Sequence, residues 1–323
     1  MAKAIRLHRT GGPEVLQLEE VTLPAPGPGQ LLLRNRAIGL NFIDTYFRTG
    51  LYPAPLPITL GNESAGEVLA VGPEVGEFKP GDRVAVVAAH GAYAEERIVP
   101  AAATVALPDD ISYEAAASMM LKGLTAEYLL HRTYKVKPGD IILVHAAAGG
   151  TGTILCQWGK ALGATVIGTA GSREKAEIAR AHGADHVILY RDEDIAARVK
   201  EITGGKLCDV VYDGVGKDTF MASLDSLKPF GLLASFGNAS GAVEAFNLGI
   251  LAAKGSLYVT RPTLNTHTAR RETLVEMAKN LFGAVGSGKV TVSVNARFAL
   301  KDAADAHRAL ESRGTTGSTV IIP

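Results

Sequence analysis

The stretch of this 323-residue chain best suited to chemistry is His145-Ala146-Ala147-Ala148-Gly149-Gly150-Thr151-Gly152. It follows the apolar run Ile141-Ile142-Leu143-Val144 and precedes a helix-forming segment from Thr153 to Leu162. Strand, glycine-rich turn and helix, in that order, bring main-chain N–H groups and a helix N-terminus to one point. Such a point suits the pyrophosphate of a dinucleotide, because glycines let the backbone approach phosphate closely. A glycine turn alone is weak evidence; the strand and helix around it give it weight.

The next strand, Thr165-Val166-Ile167-Gly168-Thr169, is followed by Ala170-Gly171-Ser172. An NAD-preferring site places an acid at the end of this strand to hold the ribose 2′-hydroxyl. None is present, so a 2′-phosphate would meet no repelling carboxylate. Ser172-Arg173-Glu174-Lys175 then opens a helix. Positive charge in a first helical turn costs roughly 0.3–1 kcal/mol, so its presence points to a nearby anion. The other reading is a solvated helix end neutralised by Glu174.

Further candidates have a structural reading beside the chemical one. Asn41 and Asp44 can bind a ligand or cap a helix start. Tyr46 and Tyr52 can line a cleft and supply a proton, or simply pack. Val215, Phe236, Gly237, Asn238 and Ser240 lie in loops after successive strands, where a doubly wound sheet binds ligands. His145 reads as a hydrogen-bonded structural residue, and Cys156 and Cys208 as small core residues. The run Arg191-Asp192-Glu193-Asp194 reads as a solvated helix start.

These residues need elements to carry them. The first third of the chain is β-rich, with short runs at Ala4–Leu7, Gln30–Arg34, Ala65–Val71 and Arg83–Val87 separated by Gly/Pro turns, which suggests a small barrel-like domain. Ser112 is placed to cap a helix through Ala117, and a second helix is expected from Thr125 to Leu130. From Ile141 strands and helices alternate. Strands are expected at 141–145, 164–169, 186–189, 208–212, 231–236 and 256–260; helices at 152–162, 173–182, 192–203, 218–228 and 246–253. That alternation implies a parallel sheet covered on both faces. Beyond Pro262 a helix at about 267–286, a strand near 297, a helix at 301–311 and a last strand at 318–322 return to the first domain. Lys plus Arg and Asp plus Glu number 33 each, which gives no sign of nucleic-acid or anionic-membrane capture. No apolar run has membrane-span length, and two cysteines exclude a disulfide framework, so the expected location is the cytoplasm.

The chain resembles the zinc-free quinone oxidoreductases of the ζ-crystallin-like branch of the medium-chain dehydrogenase/reductase superfamily. Asn41-Phe42-Ile43-Asp44-Thr45-Tyr46, Leu121-Lys122-Gly123-Leu124-Thr125-Ala126, the Ala-Ala-Gly-Gly-x-Gly turn, Ser235-Phe236-Gly237-Asn238, Gly255-Ser256-Leu257-Tyr258-Val259-Thr260-Arg261-Pro262 and Glu311-Ser312-Arg313 carry the resemblance along the whole length. It implies an α/β fold: a doubly wound Rossmann domain, 124–263, inserted in a GroES-like domain of 1–123 and 264–323. It also implies NADP(H) held by Asn41, Phe42, Thr125, Ala148, Gly149, Gly150, Thr151, Gly152, Gly171, Ser172, Lys175, Tyr190, Val215, Phe236, Gly237, Asn238, Ser240, Arg261 and Arg313. A surface ion pair is the other reading of Arg261 and Arg313. Asn41, Asp44, Tyr46 and Tyr52 are the candidates beside the reacting groups. Zinc dehydrogenases have Gly-His-Glu where this chain has Gly61-Asn62-Glu63, and no cysteine lies in the first domain, so no metal is expected. The implied activity is hydride transfer from NADPH to a quinone. The alternatives are reduction of an alkenal or enone and, in a different class, a nucleotide-binding crystallin-like or RNA-binding protein. A homodimer through the edge strand Ser256-Leu257-Tyr258-Val259 is expected.

Overall fold

The structure, a computed structural model, describes residues 1–87, 90–312 and 316–323. It divides into two compact units: Met1–Leu124 with Thr268–Gly286 and Val292–Pro323, and Thr125–His267 with Ser287–Thr291.

In the first unit, a seven-stranded sheet runs in the order Val294–Ala299, Ser318–Ile322, Gln30–Gly39, Glu63–Val71, Arg83–Val87, Thr104–Ala106, with Glu96–Pro100 also paired to Gln30–Gly39. The long strand alternates in the manner of a sheet with one dry face: Leu31, Leu33 and Asn35 are buried, Arg34 and Arg36 exposed. Leu31 and Leu33 meet Val68, Val84, Val86 and Val99 in one apolar cluster. A second sheet orders Leu16–Val21, Ala2–Leu7 and Ile58–Thr59. Its buried face joins Ile38, Leu40, Leu60, Tyr93 and the helix Ala303–Glu311 in a second cluster.

The second unit is built on six parallel strands in the order His186–Leu189, Thr165–Ala170, Ile141–Val144, Cys208–Asp213, Leu227–Ser235, Tyr258–Thr260. Numbered along this unit, the order is 3-2-1-4-5-6, the doubly wound arrangement expected from the alternating pattern. Leu143, Ile167, Ile188, Val211 and Leu233 are buried in its core. Sheets covered on both faces need such continuous apolar strands, and each side chain of this kind contributes about 1.5–3 kcal/mol on burial.

The differences from expectation have local causes. Ser112 caps as expected, accepting from Ala115 N at 3.1 Å. The helix then runs unbroken over Tyr113–Tyr128 instead of stopping and restarting. Gly123, inside this helix, is where it packs on Leu281: an added Cβ there would fall under 3.0 Å from the leucine side chain. The expected helix at 267–286 is two helices, Leu264–Thr268 and Arg271–Gly286. The edge strand is Tyr258–Thr260 and excludes Ser256, whose φ is +56°. Short or polar strands such as Leu16–Val21 and Glu96–Pro100 carry little periodic signal and form through pairing with longer neighbours. Among the described residues no helix is long and apolar enough to cross a membrane.

Candidate functional site

Because the six strands are parallel, the loops after them fall on one edge of the second unit. The glycine turn follows Ile141–Val144; Gly171 and Ser172 follow Thr165–Ala170; Tyr190 follows His186–Leu189. Val215 follows Cys208–Asp213; Phe236, Gly237, Asn238 and Ser240 follow Leu227–Ser235; Arg261 follows Tyr258–Thr260. The structure thus gathers these sequence candidates on the ligand-binding edge of a doubly wound sheet.

The helix after the turn begins at Gly150, two residues earlier than expected, with Gly149 as its N-cap. Glycine has no side chain to cap with, so it leaves the first N–H groups, those of Gly150, Thr151 and Gly152, available to an anion. Gly152 permits the close approach of helix and turn: an added Cβ would fall under 3.0 Å from Ala146 O and Ala147 Cα. Ala146 sits at φ +51° and is held there from the neighbouring strand. Its N–H reaches Thr169 Oγ1 at 3.3 Å, and Ala147 N donates to Thr169 O at 3.0 Å.

Beneath the turn lies a polar chain that the sequence reading did not single out. Asp213, 1% exposed, accepts from Val215 N at 2.8 Å, Gly216 N at 3.0 Å and Ser223 Oγ at 2.9 Å. The Ser223 hydroxyl proton is thereby committed, so its oxygen accepts from His145 Nε2 at 3.0 Å and His145 Nδ1 accepts from Thr169 Oγ1 at 3.1 Å. Burial lowers the His145 pKa, which keeps the ring neutral in this role. His145 is structural, as expected. Cys156 and Cys208 are buried and free, also as expected. Asp213-Gly214 after a strand is the turn signal that could have exposed the aspartate.

At the end of the second strand, Ser172 caps the helix Arg173–Ala181 by accepting from Lys175 N at 3.3 Å. Tyr190 lies over Gly171, where an added Cβ would fall under 3.0 Å from the phenol oxygen. Gly171, Ser172, Lys175 and Tyr190 therefore form one corner with no carboxylate at the strand end. Ser240 crosslinks two loops: its Oγ donates to Val215 O at 2.9 Å and accepts from Asp218 N at 3.0 Å. Arg261 donates to Ser235 O at 2.9 Å and Gly237 O at 3.0 Å, so it braces the Phe236–Asn238 loop. Thr125 is buried on Tyr113–Tyr128. Arg313 lies outside the described residues.

The first unit holds the other candidates. Asn41 precedes the helix Phe42–Thr49 and donates through Nδ2 to Glu63 Oε1 at 2.7 Å. Glu63 is 0% exposed and also accepts from Leu121 N at 2.7 Å and Lys122 Nζ at 3.2 Å. Asp44, likewise 0% exposed, accepts from Asn41 N at 2.9 Å and Tyr93 Oη at 3.0 Å on Oδ2, and from Asn62 Nδ2 at 2.7 Å on Oδ1. Three donors thus surround the buried carboxylate of Asp44. Burial, partly offset by those donors, pushes its pKa up to about 6. The chain continues from Tyr93 Oη to His307 Nε2 at 3.0 Å, from His307 Nδ1 to Arg48 Nη1 at 3.1 Å, and from Arg48 to Glu311 at 2.5 and 3.0 Å. Tyr46 and Tyr52 are half-buried and pack edge to face with ring centroids 5.3 Å apart. Phe42 is exposed at the helix start. Tyr93 and His307 are residues that the sequence reading did not name; Asn62, Glu63 and Lys122 stood in named motifs but were given no role, because the fold alone assembles their contacts.

Comparisons with known proteins agree with this architecture. Residues 27–109 match the alcohol dehydrogenase GroES-like domain and residues 150–282 the zinc-binding dehydrogenase family. Over 325 residues, and the full length of both, the chain is 56% identical to a quinone oxidoreductase of Pseudomonas aeruginosa. It is similar over its full length, at 52% identity and a TM-score of 0.98, to the whole chain of the crystal structure of Escherichia coli quinone oxidoreductase complexed with NADPH. The chain belongs to the quinone oxidoreductase family of medium-chain dehydrogenases/reductases. A 2-haloacrylate reductase of a Burkholderia species is also similar, at 48% identity over 100% of this chain and 99% of that protein.

Membership of this family settles the fold as a GroES-like domain with a Rossmann domain. The matched dehydrogenase model is described as zinc-binding, so the donor set matters. Among the described residues no group of three His, Cys, Asp or Glu side chains is placed to hold a metal ion. Asn62 stands where zinc dehydrogenases carry a ligand histidine, Glu63 is occupied by Asn41, Leu121 and Lys122, and both cysteines are in the core of the second unit. The residues do not fit a catalytic zinc.

Proposed function

We infer that the protein is an NADPH-dependent quinone reductase that works without a metal. The observation that carries this reading is the corner of Gly171, Ser172, Lys175 and Tyr190 beside the uncapped glycine turn, in a chain more than half identical to a quinone oxidoreductase. The N–H groups of Gly150, Thr151 and Gly152 hold the pyrophosphate, and Ser172, Lys175 and Tyr190 hold the 2′-phosphate. Val215, Thr125 and the Phe236–Ser240 loop, braced by Arg261, flank the nicotinamide half; Asn41 and Phe42 are the cofactor-contact candidates of the first unit. NADPH supplies the hydride, and the acceptor is a quinone, electron-poor enough to need no Lewis acid. The protein orients the reactants and excludes water. Two buried thiols, pushed up in pKa by burial, suit the reducing cytoplasm.

A second reading, reduction of a conjugated acid or enone, is favoured by the likeness to the 2-haloacrylate reductase. The two are separated by initial rates at fixed NADPH with a small para-quinone and with 2-chloroacrylate. The quinone is expected to give a kcat/KM higher by at least about tenfold. The reverse order would replace the quinone with the conjugated acid as substrate.

The same reading includes a homodimer. Tyr258–Thr260 is the edge of the parallel sheet, and Tyr258 and Phe230 are 60% and 69% exposed. Thr133, Phe230, Tyr258 and His267 are among the residues lining a groove of about 700 Å³ along it. A bare apolar edge is a pairing site unless covered, and a second copy covers it symmetrically. Light scattering is expected to give twice the chain mass at micromolar concentration, and the variant F230K/Y258K the single mass. A monomeric wild-type chain would contradict the dimer.

A further inference from the structure

Alternation along Gln30–Gly39 turns Leu31, Leu33 and Asn35 to the dry face of the seven-stranded sheet. Directly opposite residues of an antiparallel pair share a face. Arg97 is opposite Leu33 and Val99 opposite Leu31, so both point to that side. Ser64 is opposite Val86, which belongs to the same apolar cluster as Leu33 and Val99. Three polar side chains from three strands therefore enter one apolar interior. Asn35 is the diagonal neighbour of Arg97 on the paired strand, within reach of a long side chain. All three residues are buried, and Arg97 is 3% exposed.

None of the three side-chain nitrogens of Arg97 has a hydrogen-bond partner among the described residues, and the same holds for Ser64 Oγ and Asn35 Oδ1. The Asn35 amide is fixed in orientation, because Nδ2 donates to Ala94 O at 2.8 Å and Ala92 O at 3.1 Å. The carboxylates of the surrounding strands are engaged elsewhere. Glu63 accepts from Asn41, Leu121 and Lys122, Glu67 from Arg36, Glu95 from Lys3 N and Glu96 from Arg34. Burial pulls the Arg97 pKa down to about 9, which leaves the guanidinium charged at neutral pH. A buried cation with no counter-charge is strongly unfavourable, so a compensating group belongs beside it.

We propose that Arg97 and Ser64 hold a small, weakly hydrated monovalent anion, of the chloride, bromide or nitrate class, inside the first unit. One cation faces the site, so one negative charge balances it. The guanidinium offers N–H donors in a fixed plane, and the Ser64 hydroxyl offers one more. Asn35 Oδ1 only accepts, so it takes a hydrogen from a water beside the ion. Water alone satisfies the N–H groups but leaves the charge uncompensated, which favours the anion. The ion must shed its hydration shell to enter, so chloride and bromide are preferred to fluoride.

The experiment is thermal unfolding of the whole protein at constant sodium concentration, with fluoride replaced stepwise by bromide. It is paired with anomalous diffraction at the bromine edge from crystals grown in bromide. A ligand of the folded chain alone stabilises it in a saturable way, so wild type is expected to gain about 2–6 °C, levelling off as the site fills. The R97M variant, which keeps a long apolar side chain without the charge, is expected to show no saturable gain. S64A leaves the guanidinium in place and is expected to need about tenfold more bromide for half the effect. It keeps the test decisive should R97M fail to fold. Anomalous density is expected beside the Arg97 guanidinium. No saturable gain in wild type, the same bromide response in every variant that folds, or ordered water alone at Arg97 would overturn the proposal.

Discussion

Replacing Lys175 with alanine is expected to raise the KM for NADPH about 10- to 100-fold while leaving that for NADH within about twofold. The two cofactors differ only by the 2′-phosphate, so a side chain that binds this group is felt by one and not the other. Lys175 stands in the first turn of the helix that Ser172 caps, where its own charge opposes the helix dipole. A dianionic phosphate reverses that balance by adding a charge-assisted hydrogen bond worth about 1.5–3 kcal/mol. Tyr190 and Ser172 contribute neutral hydrogen bonds, so Y190F and S172A are expected to cost less. Steady-state kinetics with both cofactors checks this. An equal rise in KM for NADH would assign Lys175 to general stability and leave the cofactor preference without its main cause.

Acid is expected to destabilise the first unit through His307. Burial, reinforced by the Arg48 guanidinium, lowers the His307 pKa to about 3 from an ordinary 6.5. Between those values the unfolded chain holds a proton that the folded one does not, so stability rises with pH across this window. The contribution is fully present above pH 6.5 and is lost as pH falls toward 3. At pH 5 the loss is about 2 kcal/mol, and the full span is worth about 5 kcal/mol. Asp44 acts in the opposite sense. Its pKa is raised to about 6, so between pH 4 and 6 the folded chain holds the extra proton, and its stabilising effect on acidification fades as pH rises through 6. At pH 5 this returns about 1 kcal/mol. Arg48, Tyr93, Glu63 and Glu311 are the other titratable groups of this network. Urea unfolding at pH 7 and pH 5 checks the sum. H307Q, a neutral side chain with a donor and an acceptor, is expected to lose less stability than wild type over this range by about 2 kcal/mol. Identical pH dependence in the two proteins would mean that His307 is protonated in the folded state or exposed to water.

Much of this was legible in the residues. The glycine turn could be read because strand, turn and helix are consecutive, so one local segment carries the whole device. Lys175 stood out as a candidate from a missing acid at a strand end and a charge on the wrong helix terminus, and the structure places it in the first turn of the helix that Ser172 caps. The parallel sheet followed from alternating apolar runs, each long enough to show its period. The network around Asp44 is different in kind. Asn41, Asn62, Tyr93, Lys122 and His307 come from segments up to 266 positions apart, and each is an ordinary polar residue in its own surroundings. Only the antiparallel sheet and the returning C-terminal segments bring them together. Asp44 was legible as a residue type suited to chemistry, but the three donors around its buried carboxylate were not. Asp213 and His145 repeat the lesson in the second unit, where a buried carboxylate and a neutral imidazole lie beneath the glycine turn.

The most direct test of NADPH-dependent, metal-free quinone reduction is the initial rate of NADPH and NADH oxidation, side by side, by chelator-treated protein with a small para-quinone. Saturable turnover that survives chelation, with kcat/KM for NADPH at least about tenfold above that for NADH, is the expected result. Loss of activity on chelation, restored by zinc, would contradict the assignment of catalysis to the protein and NADPH alone. Tight NADPH binding without quinone turnover would contradict the activity itself.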